Sequence, residues 1–308
     1  MKNRGFKAIS SFYRSESGVA VAVAAALLLG IVVAAMTTIQ LNYVPIWQED
    51  AEYAHMSDVW QDMARLKSNV DILAAGLEIN PNSRLVLNSP VEMGGSDVPF
   101  IGGMKTGGTL AINNDISGML IVVDDDVVGY NSNNTLFYTG SVSYRPTNIH
   151  YVDETYCYEN GALIVSRNDR SMMKLSPGIV INGDTSSVNL SVRAVTLEGN
   201  RGVLASNSIE DVRMTCEGFG TLYNGEYSNA NGTVKANITS VDLTIYTENP
   251  EAWEKYFEDS TNEINLQNGT DYNLSTGTHL VTFSLPHKNN RTINFEAYNT
   301  MIKIETET

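Results

Sequence analysis

The chain has 308 residues, with 35 Asp and Glu against 20 Lys and Arg and a formal net charge of -15. This length allows one or two domains. The acidic balance excludes nucleic acid as a partner and disfavours anionic lipid headgroups, because like charges repel at such a surface.

The first predicted element is an uncharged apolar helix from Val19 to Met36. A helix rises ~1.5 Å per residue, so this run extended to Leu41 reaches ~35 Å and can cross a bilayer core. Basic residues precede it and acidic residues follow it. That bias predicts a single pass, with the N-terminus inside the cell and the rest of the chain outside.

Three kinds of N-terminus fit such a run. The first is a secretory signal peptide cut after the small residues Val33, Ala34 and Ala35. The second is an uncut signal anchor, and the third is a prepilin-like leader cut before the apolar helix. The run is longer than the ~7–15 residues usual in a cleaved signal peptide, which favours the second and third interpretations.

The segment Tyr13–Val19 resembles the class III signal peptides of archaeal type IV pilins and archaellins. The resemblance makes Arg14 the basic position, Ser15 the small position, where the family usually has Gly or Ala, and Glu16 the first mature residue. It implies a leader over residues 1–15, a filament-core helix over 16–44 and cleavage by a prepilin-type peptidase. The stretch Tyr156–Val165 is also similar to a segment of archaeal pilin-like ectodomains.

Small residues recur every four positions along the apolar helix, at Ala22, Ala26, Gly30 and Ala34. Small residues let helices approach closely in lipid or in a filament core. The abundance of Ala in this run is the alternative explanation of the stripe.

A second, amphipathic helix is predicted over 45–80 as a stalk, after a bend at Pro45. Its apolar positions alternate in steps of four and three residues, namely Val59, Met63, Leu66, Val70, Leu73 and Leu77. This heptad seam can pack on the β-region or pair with another copy of the chain; its shortness favours the β-region. We expect His55 to lie on the surface of this helix.

From residue 81 to 308 the pattern changes to short alternating runs rich in Val, Ile, Thr and Tyr. These runs predict a mainly antiparallel, β-sandwich-like extracellular domain, interrupted by one helix that starts at Pro250. The fold class is therefore α+β.

Two features of this region suit an extracellular location. We expect Cys157 and Cys216 to form a disulfide, with two free buried thiols as the alternative. The acceptors for N-glycosylation are Asn133, Asn189, Asn231, Asn237, Asn268, Asn273 and Asn290.

The sequence carries no catalytic motif, and its four histidines lie at no metal-ligand spacing. The run Asp124–Asp126 can be a calcium ligand or, as we favour, an acidic turn. We expect neither enzyme activity nor a cofactor or metal. The resemblance implies a structural subunit of an archaeal surface filament, major or minor, whose partners are other pilin-like subunits and the membrane. The alternative is a membrane-anchored envelope or ligand-binding protein that never polymerises.

Overall fold

The computed structural model describes residues 16–94, 107–126, 133–168, 170–184, 186–229, 232–288 and 291–307. The chain divides into two compact units, Met1–Gln48 and Glu49–Thr308, which we describe separately. The described residues form a long apolar N-terminal helix and then a mostly antiparallel β-rich domain, so the predicted α+β class is confirmed.

The N-terminal helices are α1 (Glu16–Asn42) and α2 (Val44–Ile79). Only Tyr43 separates them, and helical hydrogen bonds continue there: its N–H donates to Ile39 O at 2.9 Å, and its carbonyl accepts from Trp47 N–H at 3.0 Å. Pro45 is the second residue of α2, a position where a missing N–H costs little. Helical hydrogen bonds are therefore present on both sides of Tyr43, and Pro45 lies within the first turn of α2.

The strands lie in the second unit. They are β1 (Val86–Glu92), β2 (Gly107–Ile112), β3 (Ser117–Asp125), β4 (Asn133–Tyr138), β5 (Ser141–Thr147), β6 (Thr155–Glu159), β7 (Ala162–Arg167), β8 (Arg170–Leu175), β9 (Ile179–Gly183), β10 (Ser187–Glu198), β11 (Gly202–Ser206), β12 (Ile209–Tyr223), β13 (Glu226–Asn229), β14 (Gly232–Lys235), β15 (Ile238–Thr247), β16 (Asn273–Thr276), β17 (Leu280–Pro286) and β18 (Thr292–Glu307). A third helix, α3 (Pro250–Glu263), follows β15.

These strands form three main sheets and one hairpin among the described residues. Sheet 1 has the order β1-β12-β18-β10-β9, sheet 2 the order β11-β2-β5-β6-β7-β8, and sheet 3 the order β16-β17-β15-β3-β4, while β13 and β14 pair with each other. The long strands β10 and β18 pair in parallel, and the other described pairs are antiparallel. This mixture arises because β18 returns from the end of the chain to the middle of sheet 1.

The first core of this unit, which we call the helix core, packs α2 against sheets 1 and 2. Its buried helical members are Met56, which is 3% exposed, and the six predicted seam residues, which have no exposed surface: Val59, Met63, Leu66, Val70, Leu73 and Leu77. Steps of three and four residues place them on one face of the helix. The opposing side chains come from strands β1, β2, β5, β6, β7, β10, β12 and β18. The seam is thus buried within the chain, in the same compact unit as the strands.

The second core, the sheet core, lies between sheet 3, sheet 1 and α3. Alternation places Val241, Leu243 and Ile245 of β15 on the buried face. From α3 the rings of Trp253 and Phe257 enter this core, fully buried. No proline interrupts the interior of α3, because its one proline is its first residue, where the ring is tolerated.

The hairpin of β6 and β7 contributes to both cores. Tyr156, Tyr158 and Leu163 face the helix core, whereas Ala162 and Ile164 face the sheet core. The two turn residues, Asn160 and Gly161, have φ of 49° and 79°, as in the tight turns that suit hairpin twist. The stretch 156–165 that resembles pilin-like ectodomains is therefore buried along its whole length.

Glu159 is a fully buried carboxylate at the end of β6. Its Oε1 accepts a hydrogen bond from the Thr247 hydroxyl and another from Trp253 Nε1–H at 2.8 Å. Burial raises the pKa of Glu159 to about 7, although these two donors act in the opposite direction. One carboxyl group therefore joins the central hairpin to β15 and α3.

The predicted disulfide is wrong, because Cys157 and Cys216 are both free and buried. Cys157 alternates with two tyrosines of the helix core, so its thiol points to the opposite face of sheet 2, 3.8 Å from Glu159 Oε2. Cys216 lies inside the helix core, with its Sγ 3.7 Å from Leu73 O. A disulfide requires Cβ atoms that point towards each other, and sheet 2 keeps these two apart.

The predicted exposure of His55 is also wrong, since its side chain is 2% exposed. Its Nε2 lies 2.8 Å from the hydroxyl of Tyr144, which also donates to Met93 O at 3.2 Å. The other ring nitrogen, Nδ1, is buried with no hydrogen-bond partner among the described residues. Burial lowers the pKa of His55, and the carboxylate of Asp58 partly opposes this effect.

Candidate membrane and assembly helix

The surface of α1 is apolar on every side and is not covered by any described part of its own unit. From Val19 to Tyr43 every residue is exposed; Leu27, Ile31 and Leu41 are 65%, 70% and 71% exposed. The mean hydropathy of its most apolar stretch is 2.8, and the helix is long and apolar enough to cross a membrane. In water this much exposed apolar surface is unfavourable, so the helix requires a lipid or protein environment.

The threonine hydroxyls near the end of α1 form hydrogen bonds to backbone carbonyls of the same helix. Thr37 Oγ1–H donates to Val33 O at 2.8 Å, and Thr38 Oγ1–H donates to Ala34 O at 2.9 Å. These bonds run back along the helix to the residue four positions earlier. They reduce the cost of placing a hydroxyl in an apolar medium, so Thr37 and Thr38 do not prevent this end of α1 from lying in such a medium.

Two aromatic residues mark the end of the apolar stretch. The rings of Tyr43 and Trp47 have centroids 6.1 Å apart. Tyr and Trp concentrate at membrane–water interfaces because each has an apolar body and a polar group. The sequence analysis overlooked this pair, although an aromatic residue at the boundary of an apolar run is a recognisable signal.

The predicted packing residues Ala22, Ala26, Gly30 and Ala34 all lie on the exposed surface of α1. A Cβ atom built on Gly30 has nothing within 4 Å. Glycine in a helix interior costs up to ~1 kcal/mol relative to Ala, and no contact within its own described unit explains its presence. The stripe is thus a narrow surface that is available to another molecule.

The predicted processing site lies at the start of α1. Arg14 and Ser15 are outside the described residues, as is the whole predicted leader over 1–15. The helix begins at Glu16, the residue predicted to follow the cut.

Four predicted glycosylation sites have exposed side chains: Asn189, Asn237, Asn268 and Asn273. Asn237 Nδ2 donates to Asp126 Oδ2 at 2.6 Å, and Asn189 Nδ2 donates to Asn182 Oδ1 at 3.0 Å. For Asn268 and Asn273, Nδ2, the atom to which a glycan attaches, makes no hydrogen bond to any described residue. The backbone of Asn133 starts β4, whereas Asn231 and Asn290 lie outside the described residues.

The carboxylates of the Asp124–Asp126 run bond to separate neighbours. Asp124 Oδ2 accepts from Ser240 at 3.0 Å, and Asp126 Oδ1 accepts from Asn237 N–H at 2.8 Å. Among the described residues no group of three or more His, Cys, Asp or Glu side chains has the geometry to hold a metal ion. The run thus serves as a set of local acceptors at the end of β3.

A family model matches residues 105–299, more than half of the chain. The chain belongs to the DUF7289 family. DUF7289 is described as a family of unknown function, and the matched segment leaves α1 and α2 outside it. No curated protein matches the chain, and no solved structure does.

In this DUF7289 member α2 also carries a buried acid that the sequence analysis missed. Glu52 is 2% exposed, and its carboxylate accepts from the backbone N–H groups of Ile149, His150 and Tyr151 at 2.9, 2.8 and 2.6 Å. Its position continues the seam, because residues 52, 56 and 59 keep the steps of four and three. That spacing was the available signal, although an acidic residue at a seam position argues against burial.

Proposed function

We propose that this protein is a structural subunit, major or minor, of an archaeal surface filament of the type IV pilin class. The observation that carries the proposal is the contrast along the N-terminal helices. The exposed apolar surface of α1 lacks a partner in its own unit, while α2 is the buried spine of the β-domain. Subunits that bury α1 against one another gain the apolar burial that α1 lacks alone.

The N-terminal sequence supports the same proposal. Cleavage between Ser15 and Glu16 by a prepilin-type peptidase removes the basic leader and leaves α1 at the start of the mature chain. Before assembly, α1 holds the subunit in the membrane with its N-terminus inside the cell and its C-terminus outside. Other pilin-like subunits, identical or different, then replace the lipid around α1.

The outer part of the filament is the β-domain in this proposal. Its exposed sequons, with Asn268 and Asn273 the least engaged, carry glycans, and its surface serves adhesion. Its acidic charge suits a soluble, hydrated surface. The proposal includes neither a catalytic step nor a cofactor.

The mature N-terminus tests the proposal. We expect mass spectrometry of protein from membranes and from sheared surface filaments to find a chain that starts at Glu16 and retains α1. An intact Met1, confined to membranes, would support the non-polymerising anchor and contradict assembly. A start near Met36 would indicate a simple secretory signal and contradict both proposals.

A further inference from the structure

The outer face of sheet 3 contains two tyrosines separated by a glycine. Tyr138 on β4 pairs with Gly118 on β3, which pairs with Tyr246 on β15. Directly paired residues present their side chains to the same face of a sheet. Because Gly118 has no side chain, the two rings border an open strip, and a Cβ atom there would lie 3.6 Å from Tyr246 Cδ2.

This strip is the floor of a cavity of about 810 Å³, whose lining residues are all described. Its walls are the turn from Asn113 to Ile116 and the turn from Leu197 to Arg201. The volume lies within the ~300–1,000 Å³ that is usual for small-molecule sites. Tyr138 is 81% exposed at the rim, so its ring is open to a ligand in the cavity.

The two walls are held in place by one side chain. Asn113 Nδ2 donates to Leu197 O at 3.2 Å and to Gly199 O at 3.1 Å, while its Oδ1 accepts from Ser141 N–H at 3.1 Å. Asn113 itself has a φ of 53°, a conformation that Asn tolerates better than most residues. The cavity is therefore formed in advance, which lowers the entropic cost of binding.

The polar groups of the cavity remain available to a ligand. The side chains of Asn114, Glu198 and Arg201 have no hydrogen bond or ion pair among the described residues, and neither does the Tyr138 hydroxyl. Together they offer a guanidinium that only donates, a carboxylate that only accepts, and an amide and a phenol that do both. The cavity therefore combines aromatic rings with groups that donate and groups that accept hydrogen bonds.

We propose that this cavity binds a pyranose sugar unit. A pyranose has C–H faces that pack on aromatic rings and a rim of hydroxyls that each donate and accept. Tyr138 and Tyr246 border the apolar face, and Arg201, Glu198 and Asn114 bond the hydroxyls. This site does not depend on filament assembly, since its lining lies within residues 113–246.

Ligand-detected saturation-transfer NMR on the full chain in detergent micelles tests the site. The probes are glucose, galactose, mannose, N-acetylglucosamine and glucuronic acid. We expect at least one to bind, and we expect Tyr138→Ala and Arg201→Ala each to weaken binding about tenfold, because each substitution removes one of the side chains that contact the sugar. Both side chains are exposed, so either variant remains informative if the other misfolds.

The matched control is Tyr53→Ala, an exposed tyrosine of α2 that lies outside the cavity. It should bind the sugar as the unmodified chain does. Absence of binding by every probe, or equal binding by all variants, would overturn the proposal. Loss of self-association in Tyr138→Ala without sugar binding would also overturn it and assign this face to a second copy.

The sugar has two possible sources, a glycan on a neighbouring copy and a glycan of another surface. They are distinguished by comparing how two preparations bind the added sugar: protein from a host without N-glycosylation and protein from the native cells. Weaker binding of the added sugar by the native protein, restored by enzymatic deglycosylation, would identify the chain's own glycans as the ligand. Equal binding by both preparations would identify an external glycan.

Discussion

The helices α1 and α2 follow each other closely in the chain, yet their side chains are used in opposite ways. In α1 the apolar residues from Val19 on surround the helix and are all exposed, whereas in α2 six of the apolar residues, from Val59 to Leu77, form one seam that is fully buried. It follows that α2 is stabilised by its own chain and that α1 requires another environment. Helical backbone geometry alone does not distinguish the two; the distribution of apolar residues around the axis does.

The largest expected difference between the two helices is the effect of a Leu→Ala substitution on folding stability. Leu66→Ala should lower the free energy of unfolding by about 2–5 kcal/mol, because it leaves a cavity in the helix core. Leu28→Ala, the same chemical change on exposed α1, should have little effect. Denaturant unfolding of the full chain in micelles measures both. Equal effects of the two substitutions would contradict the contrast.

The sheet core provides a second comparison, through Glu159. Its folded pKa is raised to about 7, above the 4.5 of an unperturbed Glu, so its stabilising contribution is complete below pH 4.5 and is lost as pH rises through 7. The loss is on the order of 3 kcal/mol for a fully buried group. We expect Glu159→Gln to remove this dependence, and Glu217→Gln, an exposed acid, to retain it. Parallel pH profiles for the unmodified chain and Glu159→Gln would contradict the assignment.

A buried acid also distinguishes α2 from α1. Glu52→Ala should cost about 2–3 kcal/mol, since it leaves three backbone N–H groups of the loop at 149–151 without their charged acceptor. Glu49→Ala removes an exposed acid one turn earlier and should cost little. Hydrogen exchange of the three amides reports the effect locally. Unchanged exchange in Glu52→Ala would mean that the loop is held by other contacts.

The stripe of α1 predicts an effect on assembly without one on folding. Ala26→Leu should reduce filament yield about tenfold, because close helix packing contributes on the order of 1–2 kcal/mol per contact. Ala24→Leu makes the same change about 200° around the helix and should assemble normally. The yield of sheared filaments measures both. A chain that never polymerises should tolerate the two substitutions equally.

The sequence predicted those elements whose pattern is local. The seam from Val59 to Leu77 is visible because its spacing repeats within one helix. Cys157 was mispredicted because period two fixes the alternation of a strand but not which face meets α2. The parallel pairing of β10 with β18 joins residues more than one hundred positions apart, and nothing in either strand specifies the other.

The sugar cavity was also invisible in the sequence, for the same reason. Tyr138 and Tyr246 are on strands brought together only by β3. Glu198 and Arg201 belong to a turn that Asn113 holds from a distant part of the chain. The residue types indicated strands and turns, but only the order of the strands in the sheet shows that these residues line one cavity.

The weakest of these effects should come from His55, which extends the seam of α2 by a polar residue. Its folded pKa lies below 6.5, so its stabilising contribution is complete above pH 6.5 and is lost as pH falls, when the unfolded chain binds the proton more readily. His55→Gln should therefore lose less stability than the unmodified chain between about pH 7.5 and pH 5. His287→Gln, at an exposed position, should behave as the unmodified chain does. This dependence is opposite in sign to that of Glu159, so the two profiles can be told apart: the loss towards acid pH belongs to His55 in the helix core, and the loss towards alkaline pH belongs to Glu159. An acid loss of the same size in the unmodified chain and in His55→Gln would contradict the assignment to His55.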